Sequence, residues 1–187
     1  MGILNDVLVP VIQAMPKRFV KIFADKYIAG DSVSDAVNSV KILNSKGLMA
    51  TVDVLGESIT EKSEAVQSKD ENINTLEAIS KDNLDCNLSI KLTMLGLNID
   101  QEFCLEQITG ILEKAKSVNR FVRIDMEDSS VTESTIRIFE TVKKKFDNVG
   151  IVIQAYLRRS EDDIKRLTEI NANFRICKGM YIEPEKI

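Results

Sequence analysis

Two rhythms of apolar and polar positions alternate along this chain. Five short apolar runs, TVDVLGE (51–57), SIKLT (89–93), FVRIDMED (121–128), IVIQAY (151–156) and FRICKGMY (174–181), each close on charged or amide side chains. Between them run longer stretches with apolar residues at the three-to-four-residue spacing of a helix. The pattern predicts strands over about 49–55, 88–93, 121–126, 149–156 and from 174, and helices over about 59–79 and 100–117. A further helix is expected in SSVTESTIRIFETVKKKF, with Ile136, Ile138, Phe139 and Val142 on one stripe, and a short one after Ser160.

Ahead of the first strand, Val33, Val37, Val40, Ile42 and Leu43 form another helical stripe, with Asp31 or Ser32 as its N-cap and 44–47 as its stop. Further upstream, Leu4, Leu8, Val11, Ile12 and Met15 have helical spacing, interrupted by Pro10 and Pro16. Asp6, Lys17 and Arg18 keep that stretch short of the ~20 residues that span a bilayer, and it lacks the small-residue cleavage pattern of a signal peptide. It is expected to pack beside the main domain, with contact to a membrane surface as the alternative. The organisation predicted is N-terminal helical segments over 1–46 and βα units over 47–187.

Strands alternating with helices predict an α/β fold with parallel pairing, right-handed crossovers, both faces of the sheet covered and polar strand ends converging at one edge. Neither GxGxxG nor GxxxxGK[ST] occurs at any strand-to-helix turn, which removes the two common nucleotide-binding loops. A (β/α)8-type barrel therefore leads over an open doubly wound sheet. Such a barrel takes ~250 residues, so the pattern amounts to about five of eight βα units, a partial TIM-type barrel.

Composition narrows the chemistry. The 187 residues are 44% hydrophobic, enough for one domain with a substantial core, and carry a net charge of −4 without long charge runs. That charge gives no footprint for nucleic acid. There is no histidine, so imidazole acid/base chemistry, Ser-His triads and His-ligated metals are excluded. Cys86, Cys104 and Cys177 are too few and too widely spaced for a disulfide framework or a zinc motif, and a reducing cytoplasm is the expected location.

Several polar residues in the strands need a reason to be there. Lys91 is read within an apolar strand, with Lys91 and Thr93 on one face and Ile90 and Leu92 on the other; it is either a snorkelling side chain or a fixed cation for an anionic ligand. Arg123, Asp125 and Glu127 alternate with Val122, Ile124 and Met126, as a structural ion pair or as a charged face lining a cleft. Asp125, nearest the strand end, is the better candidate for a catalytic or ligand-contacting acid. Gln154 has an amide that both donates and accepts. Arg175 and Lys178 add two cations on the fifth strand, and Gly179 lets backbone approach something flat or phosphorylated.

The motifs KLTMLGL, RIDMED, GIVIQAYLRR and RICKGMYIEP, in this order and at these intervals, closely resemble the proline dehydrogenase family, FAD-dependent enzymes with a distorted (β/α)8 barrel. YIAG (27–30) and TVDVLGE extend the resemblance over nearly the whole chain. It implies that Lys91 binds the carboxylate of L-proline, that Asp125 lies beside flavin and substrate, and that Met126 meets the flavin through its backbone. It also implies that Gln154 hydrogen-bonds the isoalloxazine and that Arg175 is the active-site arginine. By the same resemblance Lys178, Gly179 and Met180 line the FAD, and Tyr181 lies near ring and substrate. Met180 stands where the family commonly has alanine. Glu57, closing the first strand, is a candidate ion-pair partner for Arg175.

The reaction implied is hydride transfer from the proline ring carbon beside nitrogen to the flavin, giving Δ1-pyrroline-5-carboxylate, with electrons passing to a membrane quinone from a peripheral position on the inner face. The family's last three strands and final helix have no counterpart here. The chain is thus expected to be a truncated portion that binds FAD weakly and turns over negligibly. Two chains associating through open sheet edges, a catalytically dead α/β binding or assembly module, and a flavin-free barrel enzyme acting on an anionic metabolite are the competing expectations.

Overall fold

The computed structural model describes residues 29–30, 32–56, 59–184 and 186–187. The helical segments expected within 1–28, and Glu57, lie outside the described residues. Helix α1 (Val33–Asn44) starts at Ser32, whose hydroxyl accepts from the Asp35 N–H at 3.2 Å. Its last residue, Asn44, donates to the carbonyls of Leu48 and Asp85 at 2.9 and 3.0 Å and accepts from the Asp85 N–H at 2.8 Å. One amide thus ties the end of the helix to the entry of two neighbouring strands.

Five strands and the four helices between them follow in strict alternation, four βα units and a fifth strand: β1 (Ala50–Asp53), α2 (Lys62–Lys81), β2 (Cys86–Ile90), α3 (Gln101–Ser117), β3 (Val122–Ile124), α4 (Thr132–Lys143), β4 (Val149–Gln154), α5 (Ser160–Glu169) and β5 (Asn173–Cys177). Local chemistry sets the boundaries. A capping box of Glu61 and Glu64 opens α2, and the Asp100 carboxylate takes the N–H groups of Glu102 and Phe103, both at 3.1 Å, to open α3. Helices α2, α3 and α5 each stop just before an asparagine with positive φ, Asn83 (47°), Asn119 (53°) and Asn171 (51°). Asparagine takes the left-handed region more readily than other side chains and turns the chain toward the next strand.

All four strand pairings are parallel, and the order is β1-β2-β3-β4-β5. A doubly wound sheet reverses its order at a switch point; this one does not, which is barrel topology. Right-handed crossovers all running one way place the four connecting helices on the same face, so the expected cover of both faces is not met among the described residues. On that face Leu88, Val122 and Val149 share one row and Ile90, Ile124 and Ile151 another. They pack in one core with Leu76, Ile79, Ile108, Leu112, Ile136 and Phe139, all essentially inaccessible. Each such side chain contributes about 1.5–3 kcal/mol by leaving water.

The second run departs from simple alternation. β2 ends at Ile90, and residues Leu92–Leu95 form a 3-10 turn with Lys91 as its N-cap. Leu92 and Thr93 are therefore both buried instead of facing opposite sides of a strand. The turn is fixed from outside: the Thr93 N–H donates to Glu127 Oε1 at 3.1 Å, and its hydroxyl donates to the other carboxylate oxygen. The other strands are also shorter than their apolar runs, because the polar ends are spent on cross-strand contacts.

Candidate functional site

The face away from the helices carries the polar residues in rows. One row runs Asp53, Ser89, Arg123, Gly150 and Asn173 across all five strands. Toward the carboxyl ends, Lys91 and Asp125 follow β2 and β3, while Val152 pairs with Arg175. The side-chain contacts above this face lace the strand ends together.

Lys91 Nζ donates to Asp53 Oδ2 at 2.6 Å, with the two side chains only 14% and 25% exposed. Burial pulls the Lys91 ammonium toward deprotonation, but the hydrogen bond and charge of Asp53, helped by Asp125 and Glu127, more than offset it and raise the pKa. A cation is held beside the ends of β1 and β2. Asp53, which no motif singled out, is the residue that holds it.

Two arginines cross β4 in opposite directions. Arg123 on β3 reaches Asn173 on β5, donating from Nη1 to Oδ1 at 2.8 Å and to the carbonyl at 3.2 Å. It passes over Gly150, where a Cβ would stand 2.6 Å from the Asn173 carbonyl and would collide with the guanidinium. The glycine is required for the crossing. One row higher, Arg175 on β5 returns across Val152 to Asp125, with Nη2 to Oδ1 at 3.1 Å. Of the two readings of this charged run, an Arg–Asp pair does form, but it runs across strands, with Asp125 serving Arg175 and not Arg123. Burial, with the positive charge of Arg175, lowers the Arg123 pKa, and Asp125 partly opposes this. Glu127, expected on the same charged face, is instead buried against Thr93.

Gln154 is 2% exposed and its amide is fully engaged. Nε2 donates to the carbonyls of Met126 (3.1 Å) and Glu127 (2.7 Å), and Oε1 accepts from the Met180 N–H at 3.3 Å. It joins the loop after β3 to the segment after β5. Met126 is buried, with its carbonyl on Gln154. Gly179 has φ +103°, and a Cβ there would enter the ring of Tyr156. The flat object that this glycine meets is Tyr156, whose hydroxyl donates to the Tyr181 carbonyl at 3.1 Å. Lys178 and Met180 are exposed, Met180 at 84%.

The structure therefore brings Lys91, Asp125 and Arg175 to one edge and uses Gln154, Gly179 and Tyr181 to shape the segment beside them. Sequence reasoning missed Asp53, Tyr156 and Glu183; the last accepts from the Ser129 N–H at 2.7 Å and from its hydroxyl. Asp53 had a signal, a carboxylate in an apolar run next to the strand holding Lys91. The fit to a flavin can be tested on donors. Arg175 spends a single hydrogen bond on Asp125 and is 49% exposed, and Lys178 is exposed beside a glycine-containing backbone. Such a set can hold the electron-rich edge of a flavin or a carboxylate. Gln154 has already committed both of its N–H donors.

The family model described as Proline dehydrogenase matches residues 36–187, which include all five strands. Proline dehydrogenase 1 of Bacillus subtilis subsp. natto is 42% identical over 160 residues, 86% of this chain and 53% of that protein. Proline dehydrogenase 2 of the same organism is 39% identical, covering 89% and 55%. The Deinococcus radiodurans proline dehydrogenase is 30% identical, covering 95% and 59%. The chain spans about half the length of the curated relatives it matches. Among solved structures, proline utilization A from Bdellovibrio bacteriovorus inactivated by N-propargylglycine superposes with a TM-score of 0.77 at 26% identity, covering 87% of this chain and 21% of that one. Proline utilization A from Bradyrhizobium japonicum shares the fold, with a TM-score of 0.65 at 20% identity, covering 80% and 18%. Matched along all five described strands and the helices between them, the chain belongs to the proline dehydrogenase family.

Proposed function

We propose that this chain carries half of a site for the FAD-dependent oxidation of L-proline to Δ1-pyrroline-5-carboxylate. The family match over 36–187 carries this reading, because it spans every strand end that bears a candidate residue. When bound, FAD supplies the two-electron acceptor for hydride from the ring carbon beside nitrogen, which leaves a carbon–nitrogen double bond.

The chain's own residues bind and orient. Lys91 gives one of its three N–H bonds to Asp53 and keeps two for the proline carboxylate. Arg175, aimed by Asp125, supplies the second cation, and together they fix the anionic end of the substrate so that the reacting carbon is presented in one orientation. Tyr181 lies against the substrate, and Lys178, Gly179, Met180 and the Met126 backbone line the cofactor. Gln154 acts on the cofactor through the position it gives Met180 and the loop after β3. Val152, over which Arg175 crosses to Asp125, is itself buried.

Within this reading residues 47–187 supply the first five strands of a barrel and the helices between them. The 187 residues in isolation bind FAD weakly and do not turn over, because β1 and β5 are each paired on one side alone among the described residues. That leaves self-association through the sheet edges as a route of assembly. Electrons leave to a quinone at the inner face of a membrane, which the protein approaches from the cytoplasm; no helix among the described residues is long and apolar enough to cross one. The protein as its gene encodes it, purified with FAD, is expected to reduce a quinone-like dye in proportion to L-proline, and Arg175→Ala to lower kcat/KM by ~100-fold. No proline-dependent reduction from a folded, flavin-loaded protein would overturn the reading.

A further inference from the structure

The segment after β5 is fastened to the loops after β3 and β4 at three successive points. Gln154 holds the Met180 N–H, and Tyr156 holds the Tyr181 carbonyl while its ring lies under Gly179. Farther along, Glu183 reaches the turn that precedes α4. Its carboxylate accepts from the Ser129 N–H at 2.7 Å through one oxygen and from the Ser129 hydroxyl through the other. The turn is itself internally tied, with the Asp128 carboxylate accepting from the N–H and hydroxyl of Ser130.

Contacts from Gln154 and Tyr156 set where the segment leaves β5, but each acts on backbone next to Gly179, which by itself allows rotation. A two-point carboxylate clasp beyond Tyr181 closes the other end. Residues 178–181 are then held between two anchors, and their side chains acquire a fixed bearing on the cationic edge. Glu183 is half-buried and pairs with a backbone N–H and a hydroxyl in place of a cation, so its gain is directional more than electrostatic.

We propose that Glu183 is a positioning residue: through its clasp on Ser129 it fixes the 178–181 segment, and so sets the approach of Tyr181 to substrate and of Lys178 to cofactor. This rests on the flavin and proline reading above. Losing the clasp lets Tyr181 shift by about an ångström, a displacement that typically costs 10- to 100-fold in a positioned site.

The test compares Glu183→Ala, Glu183→Gln and Ser129→Ala in the protein as encoded. Three readouts are followed: amide exchange at Ser129, the apparent Kd for FAD, and the split between KM and kcat for L-proline. Glu183→Ala is expected to unprotect the Ser129 amide, weaken FAD by ~10-fold and raise KM by ~10-fold at a midpoint of thermal unfolding within a few degrees of the parent. Glu183→Gln, which still accepts from the N–H and can donate to the hydroxyl oxygen, is expected to restore all three to within about twofold. Ser129→Ala, keeping only the N–H contact, falls between them. An unprotected Ser129 amide with unchanged FAD affinity and KM overturns the proposal, as does a loss in Glu183→Gln equal to that in Glu183→Ala. Should Arg175→Ala leave proline oxidation intact, the site reading fails instead; should Arg175→Ala abolish it while Glu183→Ala does nothing, the clasp alone is refuted.

Discussion

Removing the carboxylate of Asp53 takes away the hydrogen-bond partner of the Lys91 ammonium, and the structure sets the size of the effect. The two groups meet at 2.6 Å with 14% and 25% of their side chains exposed, between the fully buried and fully exposed cases. Breaking a buried pair costs 3–5 kcal/mol and an exposed one under 1, so Asp53→Ala is expected to cost about 2 kcal/mol. Most of that is the cost of leaving Lys91 charged and desolvated. The double variant Asp53→Ala/Lys91→Met should therefore recover part of the loss. Because the folded-state pKa of Lys91 is raised, the pair's contribution is fully present below the unfolded value of about 10.4 and fades as pH rises through the folded one. Urea unfolding of parent, both single variants and the double variant at pH 7.5 and again above pH 11 measures both effects. Equal stability of parent and Asp53→Ala, additive single effects, or a gap that does not narrow at high pH would refute the reasoning.

Other outcomes follow from single contacts. Gly179→Ala forces a side chain into φ +103° and against Tyr156, and thermal unfolding should register a loss of about 2 kcal/mol or more, smaller in a Tyr156→Ala background, where only the backbone strain remains. Glu133 accepts from Arg159, Arg137 and Arg166, which, led by Arg159, hold its carboxyl at about 2 against burial. Its contribution is present above the ordinary glutamate range and lost as pH falls toward that value; with 38% of the side chain exposed, Glu133→Gln should cost about 1 kcal/mol at pH 7, with the difference shrinking in acid and in high salt. Burial pushes the Cys104 thiol up to about 12, with Glu127 adding to it, so a thiol reagent at pH 8 should label half-buried Cys177 first and Cys104 only on unfolding. Labelling of Cys104 at the rate of Cys177 in the folded protein would contradict the burial described.

The alternation of apolar runs gave the order and number of βα units because period-2 and period-3.6 patterns are fixed by backbone geometry. Strand ends were less legible. The run through Lys91 reads as uninterrupted strand, and the 3-10 turn at Leu92 is imposed by Glu127, 34 positions along the chain from Thr93. Arg123, Asp125 and Arg175 were legible as residues on the polar face, but their partners were not. Which carboxylate faces which guanidinium depends on β4 offering a glycine at 150 and a valine at 152 for two long side chains to cross. Gly179 announced a close approach without saying to what; the answer, Tyr156, lies on a neighbouring loop. Gln154 was legible as a donor and acceptor, whereas its commitment to Met126, Glu127 and Met180 is a property of the assembled strand ends.

In the proposed site Lys91 and Arg175 read a carboxylate beside a bound flavin. Anaerobic titration of the FAD-loaded protein as its gene encodes it, followed at the visible flavin band, tests this with L-proline against L-prolinamide, which keeps the ring and loses the negative charge. L-proline is expected to bleach the band at concentrations at least ~100-fold lower than the amide does, and that preference to collapse in Lys91→Met and Arg175→Ala. Equal bleaching by acid and amide, or a preference untouched by both substitutions, would contradict it, and a folded protein that takes up no flavin would favour an inert α/β module instead.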